Sequence, residues 1–306
     1  MPGNSAADTW VGVDVGGTKV LAVRLAASGA TEATATLPTP GRSAPEAEVE
    51  RAVADAVRAV SAARAPAGVG ISAAGLVDAA GERYLFGAHL PWRDVALRAR
   101  VEQQVGLPVV LDNDANCAAH AELVAGAAQG HDSAVLVTIG TGIGGALVLG
   151  GRVVSGAHGL AGEFGHMQVV PDGLACECGL HGCWEQYCSG RALERVTRVA
   201  LGRHLDGREV TALAVAGDEV ARQAFASIGT WLGVGTAALV SAFDPQVVVV
   251  GGGVSAVGDL LLEPARAGLR DSLQGTDFRP VPPIVPAVLG PEAGAVGAAL
   301  LARDGR

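Results

Sequence analysis

Three cysteines fall within one short stretch, Cys176-x-Cys178-Gly179-x-x-Gly182-Cys183. Thiolates this close together, in a loop turned by glycines, suit Zn²⁺, which takes four tetrahedral nitrogen or sulfur ligands. His166 upstream supplies a fourth ligand, with His181 inside the loop and Cys188 just beyond it as alternatives. Four protein ligands leave no open position, so such an ion is structural rather than hydrolytic. The chain has five cysteines, an odd count, and no secretion signal is recognisable in its polar first residues, which argues for metal over disulfides. Cys117 and Cys188 read as small buried residues.

A second chemistry lies in glycine turns. Asp14-Val15-Gly16-Gly17-Thr18-Lys19 offers a carboxylate, two glycines and a hydroxyl. Glycines let successive backbone N–H groups converge on an anion, and a threonine hydroxyl adds a donor. Asp14 suits Mg²⁺, directly or through water, because hard cations that bridge phosphates take oxygen ligands. Alone, the segment reads first as a plain hairpin turn. It is joined by a second turn of the same kind, Thr138-Ile139-Gly140-Thr141-Gly142-Ile143-Gly144-Gly145, and by Gly251-Gly252-Gly253 after a buried strand. The third cluster suits either close approach of an adenosine or a simple turn. Neither a P-loop nor a dinucleotide fingerprint is present, so two turns clasping a nucleotide triphosphate are the expectation.

Asp112-Asn113-Asp114-Ala115-Asn116 follows an apolar run, where α/β folds place ligand contacts at strand ends. Carboxylates beside a carboxamide suit a polyol, and a carboxylate can take a hydroxyl proton as that oxygen attacks a γ-phosphate. Asp114 is the chosen base. Standing alone, the same residues would read first as an N-cap cluster for a helix starting at Ala115. Glu163-Phe164-Gly165-His166 and Glu185 flank the cysteines, and that position raises their functional interest.

The elements that must position these groups follow from periodicity. Trp10 to Leu25 alternates apolar residues about Gly16 and Gly17 and predicts a hairpin. Val49, Ala52, Val53, Ala56, Val57 and Val60 predict a helix, with Pro45 near its start. Strands are expected at Val69–Ala73 and Pro108–Leu111, with a helix beginning just after Asp114. Ser133 to Gly150 reads as a second hairpin, followed by helices at Gly190–Leu201 and Asp218–Ala242. Strands at Val247–Val250 and near Pro283–Val288 precede a small-residue helix from Glu292 to Ala302. This alternation predicts an α/β chain of two lobes facing a cleft, suggesting an internal duplication. The expected division is residues 1–116 and 117–290, with the last helix, 291–306, returning to the first lobe and the zinc loop in the second.

The chain has 306 residues, 49% hydrophobic and 17% charged, enough to build proper cores. Its 22 Lys and Arg stand against 31 Asp and Glu, a net charge of −9. With no basic run, nucleic-acid and anionic-membrane binding are not expected, and phosphate must be held by backbone amides and metal. No uninterrupted apolar run approaches the ~20 residues of a membrane helix, and the setting reads as cytoplasmic.

In order, D-V-G-G-T-K, D-N-D-A-N, T-I-G-T-G-I-G-G, E-F-G-H and C-E-C-G-L-H-G-C-W-E resemble the ROK family of bacterial sugar kinases, of the actin/hexokinase-like (ribonuclease H-like) fold. The resemblance runs from about Trp10 to Leu301. Glu185-Gln186-Tyr187 and Ser189-Gly190-Arg191 look most like the actinobacterial glucokinase branch. It implies ATP-dependent phosphorylation of glucose at the 6-hydroxyl, with Asp114 as base. It further implies that Asp14 to Thr18 and Gly140 to Gly142 hold phosphates, with Lys19, Gly252 and Gly253 counted among the nucleotide contacts. Asn113, Asp114, Glu163, His166 and Glu185 would contact the sugar, with Gly75 lining the pocket. His166 would ligate zinc through one nitrogen and face the sugar with the other. Homodimers or homotetramers and lobe closure on glucose are expected. One departure is His89, in A-H-L-P-W, where family glucokinases commonly have Asn, so either sugar preference is open to change or His89 is simply a loop residue packed against Trp92. Alternatives are a kinase for N-acetylmannosamine, fructose or mannose, a polyphosphate donor, or a non-catalytic sugar-binding protein. A sugar-responsive repressor is not expected, since the first strand begins near Trp10 with no room for a helix-turn-helix before it.

Overall fold

The computed structural model describes residues 8–305. They fall into two compact units. The first takes residues up to Gln129, Arg152–Ala161 and Leu289 onward, and the second takes Gly130–Gly151 and Gly162–Val288.

The first unit is built on a five-stranded sheet. In chain order its strands are β1 (Thr9–Val15), β2 (Lys19–Ala26), β3 (Thr31–Pro38), β4 (Gly68–Ala73) and β7 (Val109–Asn113), arranged β3-β2-β1-β4-β7. The first three are antiparallel neighbours, and β1, β4 and β7 run parallel. Between β4 and β7 lie a short pair, β5 (Leu76–Val77) and β6 (Tyr84–Phe86), and α2 (Leu97–Val105). Helix α1 (Glu46–Ser61) buries the valine stripe read from the sequence, Val49, Val53, Val57 and Val60, against Val11, Val13 and Ile71. Helices α3 (Asp114–Ala125) and α8 (Ala293–Asp304) belong to the same unit, as does the two-residue strand β10 (Arg152–Val153).

Helix α8 sits on the sheet backbone to backbone. A Cβ at Gly12 would lie 1.8 Å from the Ala295 carbonyl oxygen, and one at Gly70 1.8 Å from that of Ala298. On its other side, a Cβ at Gly297 would lie 1.7 Å from the Cys117 oxygen of α3. The run of small residues in α8 is thus a requirement of contact distance, not of helix propensity.

The second unit carries the sheet partners β8 (Ala134–Ile139), β9 (Ile143–Leu149), β11 (Val247–Gly251) and β12 (Ile284–Pro286). Strands β8 and β9 form an antiparallel hairpin, and β11 runs parallel to both β8 and β12. Four helices complete it: α4 (Gly190–Leu201), α5 (Gly207–Val215), α6 (Glu219–Phe243) and α7 (Asp259–Ser272). Asp206 opens α5 with a capping box to Glu209. At 25 residues, α6 is long and apolar enough to cross a membrane by length and composition, contrary to the expectation from uninterrupted apolar runs. It is a core helix here. Gly229 and Gly233 let it close on α7, with Cβ positions 2.6 and 2.4 Å from the Leu261 and Ala265 oxygens. Gly235 similarly admits the Trp184 ring, whose Nε1 donates to the Trp231 oxygen at 2.7 Å.

Candidate active site and metal centre

In the first unit the turn between β1 and β2 is the Gly16-Gly17-Thr18 segment. The Gly16 N–H donates to the Lys19 oxygen at 3.0 Å, and Thr39 clamps the turn from outside, its Oγ1 donating to the Gly16 oxygen at 2.7 Å. His89 rests directly on it, its Cβ only 2.7 Å from where a Cβ on Gly17 would stand. Asp14, near the end of β1, accepts a hydrogen bond from Ser72 Oγ at 2.6 Å. Burial raises the pKa of Asp14, opposed by the Ser72 bond and the Lys19 charge.

The end of β7 carries the D-N-D segment. Asn113 is the N-cap of α3, its Oδ1 accepting from the N–H groups of Ala115 at 2.8 Å and Asn116 at 3.1 Å. Its Nδ2 donates to the Gly75 oxygen at 2.8 Å and to Asp114 Oδ1 at 2.9 Å. One carboxamide therefore starts the helix and holds the adjacent carboxylate, so the capping and polar-site readings of this segment describe the same residue. The helix begins at Asp114, one residue before the cap reading placed it. Asp112 accepts from the Asn113 N–H at 2.7 Å and from Asn116 Nδ2 at 2.9 Å. Gly75, with φ at +138°, passes under the Tyr84 hydroxyl, where a Cβ would be 2.4 Å away.

Beneath these groups lies Cys117. Burial pushes its thiol well up, and the charges of Asp112, Asp14 and Asp114 push it further. Asp14, Asp112 and Asp114 thus stand around a buried thiol, with Gly75 held to the same strand end by Asn113. Ser72, Thr39 and Cys117 were not singled out as site residues from the sequence. Ser and Thr at such positions carry no pattern of their own, and only the pairing of β1 with β4 sets Ser72 opposite Asp14.

In the second unit, Gly140 to Gly142 bend the chain between β8 and β9. The Gly140 oxygen accepts from the Gly190 N–H at 2.8 Å, tying the turn to the start of α4. Gly252, with φ at +87°, packs its Cα on Ile139, where a Cβ would meet the carbonyl oxygen at 2.4 Å. The second and third glycine clusters are therefore neighbours. They open on a cavity of about 890 Å³ walled by Arg191, Glu194, Arg208, Thr211 and Val254. A cavity of that size accepts a nucleoside, and the usual range for ligand pockets is roughly 300–1,000 Å³.

The cysteine loop also belongs to this unit. One ligand atom each from His166, Cys176, Cys178 and Cys183 lies within 4.8 Å of the others. Cys176 Sγ is 3.7 Å from His166 Nδ1, and Cys178 Sγ is 3.6 Å from Cys183 Sγ. Ligands at Zn–S of ~2.3 Å and Zn–N of ~2.0 Å in a tetrahedron stand roughly 3.5–3.8 Å apart, so the donor set and spacing fit zinc. His181 and Cys188 are outside the group. The His181 oxygen accepts from Gln168 Nε2 at 2.8 Å, and Cys188 is fully buried. With Nδ1 turned to the sulfurs, His166 Nε2 lies 3.9 Å from Glu163 Oε2. Glu185 accepts from the Cys176 thiol at 3.2 Å through Oε1, and its Oε2 would be 2.5 Å from a Cβ on Gly142. Burial raises the Glu163 pKa, which the His166 charge lowers and Glu185 raises again. Glu163, His166, Glu185 and the Gly140–Gly142 turn are thus assembled around the metal-type loop.

Paired mixed sheets with helices, bearing glycine turns and an acidic strand end, define the actin/hexokinase-like fold of sugar-phosphorylating and sugar-binding proteins. Residues 10–305 match the ROK family model, and the chain belongs to the ROK family. It is 42% identical to the glucokinase of Streptomyces coelicolor over 96% of this chain and 97% of that one. It is similar to the crystal structure of a ROK family glucokinase from Streptomyces griseus in complex with glucose and AMPPNP, with a TM-score of 0.88 and 42% identity over 97% of this chain and 99% of that one. The ROK hexokinase of Thermus thermophilus matches with a TM-score of 0.81 and 40% identity over 97% and 98% of the two chains.

Proposed function

We propose that this protein is an ATP-dependent glucokinase, converting glucose and ATP to glucose 6-phosphate and ADP. The observation that carries the reading is the Asp114 carboxylate, held at 2.9 Å by the Asn113 amide at the mouth of α3, in a chain 42% identical to a glucokinase. Asp114 takes the proton of the sugar 6-hydroxyl as that oxygen forms its bond to the γ-phosphorus, and the bond from phosphorus to the ADP oxygen breaks. Asn113 fixes the carboxylate and adds a sugar contact beside Gly75, while Glu163, His166 and Glu185 contribute the other sugar contacts. The amides of Gly16, Gly17 and Thr18, with Lys19, and those of Gly140, Thr141 and Gly142 receive phosphate oxygens. Gly252 and Gly253 border the nucleoside cavity. Mg²⁺, held through Asp14, would neutralise the phosphate charge that a chain of net charge −9 cannot. A structural zinc on His166, Cys176, Cys178 and Cys183 would lock the loop that presents Glu163 and Glu185.

The two units serve as the two lobes, the first giving the base and the second the metal loop and nucleoside cavity. A homodimer or homotetramer acting in the cytoplasm, in sugar breakdown, completes the reading. A second reading, a kinase for another hexose or N-acetylhexosamine, draws on His89, which sits on the Gly17 turn.

The test is ADP release with Mg²⁺-ATP against glucose, mannose, fructose, N-acetylglucosamine and N-acetylmannosamine, with polyphosphate as a second donor. Turnover highest on glucose with ATP is expected. Preference for another sugar moves the assignment to the second reading, and no turnover with any pair overturns both.

A further inference from the structure

The first unit contains a second cavity, of about 520 Å³, away from the glycine turn and lined by different residues. Its polar lining is Arg98, Arg152, Ser155, Asp78, Asp112 and His120. We propose that this cavity binds a sugar phosphate, the guanidinium groups of Arg98 and Arg152 receiving the phosphate and Asp78, Asp112 and Ser155 receiving sugar hydroxyls.

The walls are fixed by backbone contacts. The Asp78–Gly81 turn closes through the Gly81 N–H to the Asp78 oxygen at 3.0 Å. It presses on β7, a Cβ at Gly81 being 2.7 Å from the Leu111 oxygen. The opposite loop closes through the Ala161 N–H to the Ser155 oxygen at 3.1 Å. That loop is seated on β5, where a Cβ at Gly159 would be 2.2 Å from the Val77 oxygen. Such a cavity needs no large rearrangement to accept a ligand, and its volume lies within the usual range of roughly 300–1,000 Å³ for small-molecule pockets.

The charges favour a ligand that is anionic at one point and hydroxyl-rich elsewhere. The chain has only 22 basic residues, and two arginines share this cavity. Among the described residues, nothing pairs with the Arg152 guanidinium. Arg98 meets Glu102 only at 3.4 Å, on an exposed helix face, a pairing worth little against a phosphate dianion. Asp78 already caps the N–H groups of Glu82 and Arg83 through Oδ1, at 2.8 and 2.9 Å, which steadies it as an acceptor. His120, also in the lining, is tied to Asp304, Nε2 to Oδ2 at 3.3 Å. A bare anion would leave the carboxylates facing it unfavourably, whereas a polyol phosphate satisfies both sets of groups. Arginine and carboxylate side chains around one volume therefore specify the class of ligand more narrowly than charge alone. The proposal stands independently of the kinase reading.

Calorimetric titration of the intact chain tests it, with glucose 6-phosphate and inorganic phosphate as probes. Glucose and a non-hydrolysable ATP analogue are kept saturating, so that the proposed reaction site is filled. One saturable site for glucose 6-phosphate is expected, weakened tenfold or more by Arg152→Ala and by Arg98→Ala. Arg58→Ala, a change of equal charge at the exposed Arg58–Asp55 pair, is expected to leave it unchanged. Inorganic phosphate should bind at least tenfold more weakly. Arg152 is exposed, so its variant should keep the wild-type melting temperature and basal turnover. No saturable binding, equal affinity for inorganic phosphate, or equal weakening by Arg58→Ala would each overturn the assignment.

Discussion

Asp112 and Asp14 hold their carboxyl groups where burial disfavours charge, and both have pKa values raised above the ordinary 3.8. At Asp112 burial outweighs the bonds from Asn116 and from the Asn113 N–H. A native acid with a raised pKa binds its proton at pH values where the unfolded chain has released it. Its contribution to stability therefore falls as pH rises from about 3.8 through the native value, and the deficit stays constant above that. Asp112→Asn keeps an Oδ1 acceptor for both donors and removes the titration. Urea midpoints measured from pH 3.5 to 8 should show the variant gaining on wild type as pH rises and then holding a constant lead. A lead that shrinks with pH would mean the carboxylate is favoured in the native state. In the proposed reaction Asp114 has a different task, that of general base. Asp114→Asn should lower kcat by roughly 10²–10⁴-fold, the usual worth of a positioned general base, with KM for glucose changed less than threefold. Near-normal kcat in steady-state assays would remove Asp114 from the mechanism.

At the scale of elements, the sheet glycines beneath α8 and the glycines of the third cluster make opposite demands. Gly70 has a carbonyl oxygen of α8 1.8 Å from its Cβ position, so Gly70→Ala requires the helix to leave the sheet. Its cost should exceed the ~1–3 kcal/mol typical of overpacking, read as a lowered denaturation midpoint or loss of soluble protein. Gly253 has nothing within 4 Å. Gly253→Ala should leave the midpoint within about 0.5 kcal/mol of wild type while raising KM for ATP, and an unchanged KM would take Gly253 out of the nucleotide site. The cysteine loop is an element of another kind, which the proposed zinc would hold through ligands instead of a core. Cys178→Ser should lower zinc content, measured by atomic absorption, together with melting temperature, because formation of the site and folding of the loop are coupled. Stoichiometric zinc in that variant would refute the ligand set.

Across the whole molecule, what could be read from the residues was whatever repeats or clusters locally. The two hairpins, the valine stripe of α1 and the four-residue metal group all carry short-range patterns, and each has its counterpart in the structure. Strand β3 and helices α5 and α7 were not foreseen. β3 (T-E-A-T-A-T-L-P) alternates, but its inward residues Ala33 and Ala35 are small and only half-buried at a sheet edge, so its apolar signal is faint. α7 carries Pro264 in its interior, which argues against a helix locally, but Gly229 and Gly233 of α6 hold it in place from a distant part of the chain. The site divides in the same way. Asp114 and the cysteines were legible as types and spacings, whereas Ser72 under Asp14 and His89 against Gly17 depend on pairings that only the fold creates.

The seat of α8 on Gly12 and Gly70 has a consequence for synthesis on the ribosome. The sheet of the first unit is translated early, but the helix that covers it is made last. Until then Leu21, Val23 and Leu25, which pack with Ala295 and Leu300 in the finished protein, have only the earlier-made Trp10 and Ala121 of their cluster to pack on, while the second unit, Gly130–Gly151 and Gly162–Val288, is already translated. Folding should therefore run against the order of translation, the later unit closing first. Chains truncated before Leu289 should show protease resistance confined to the second unit, and the first unit should acquire it only in chains that carry the last helix.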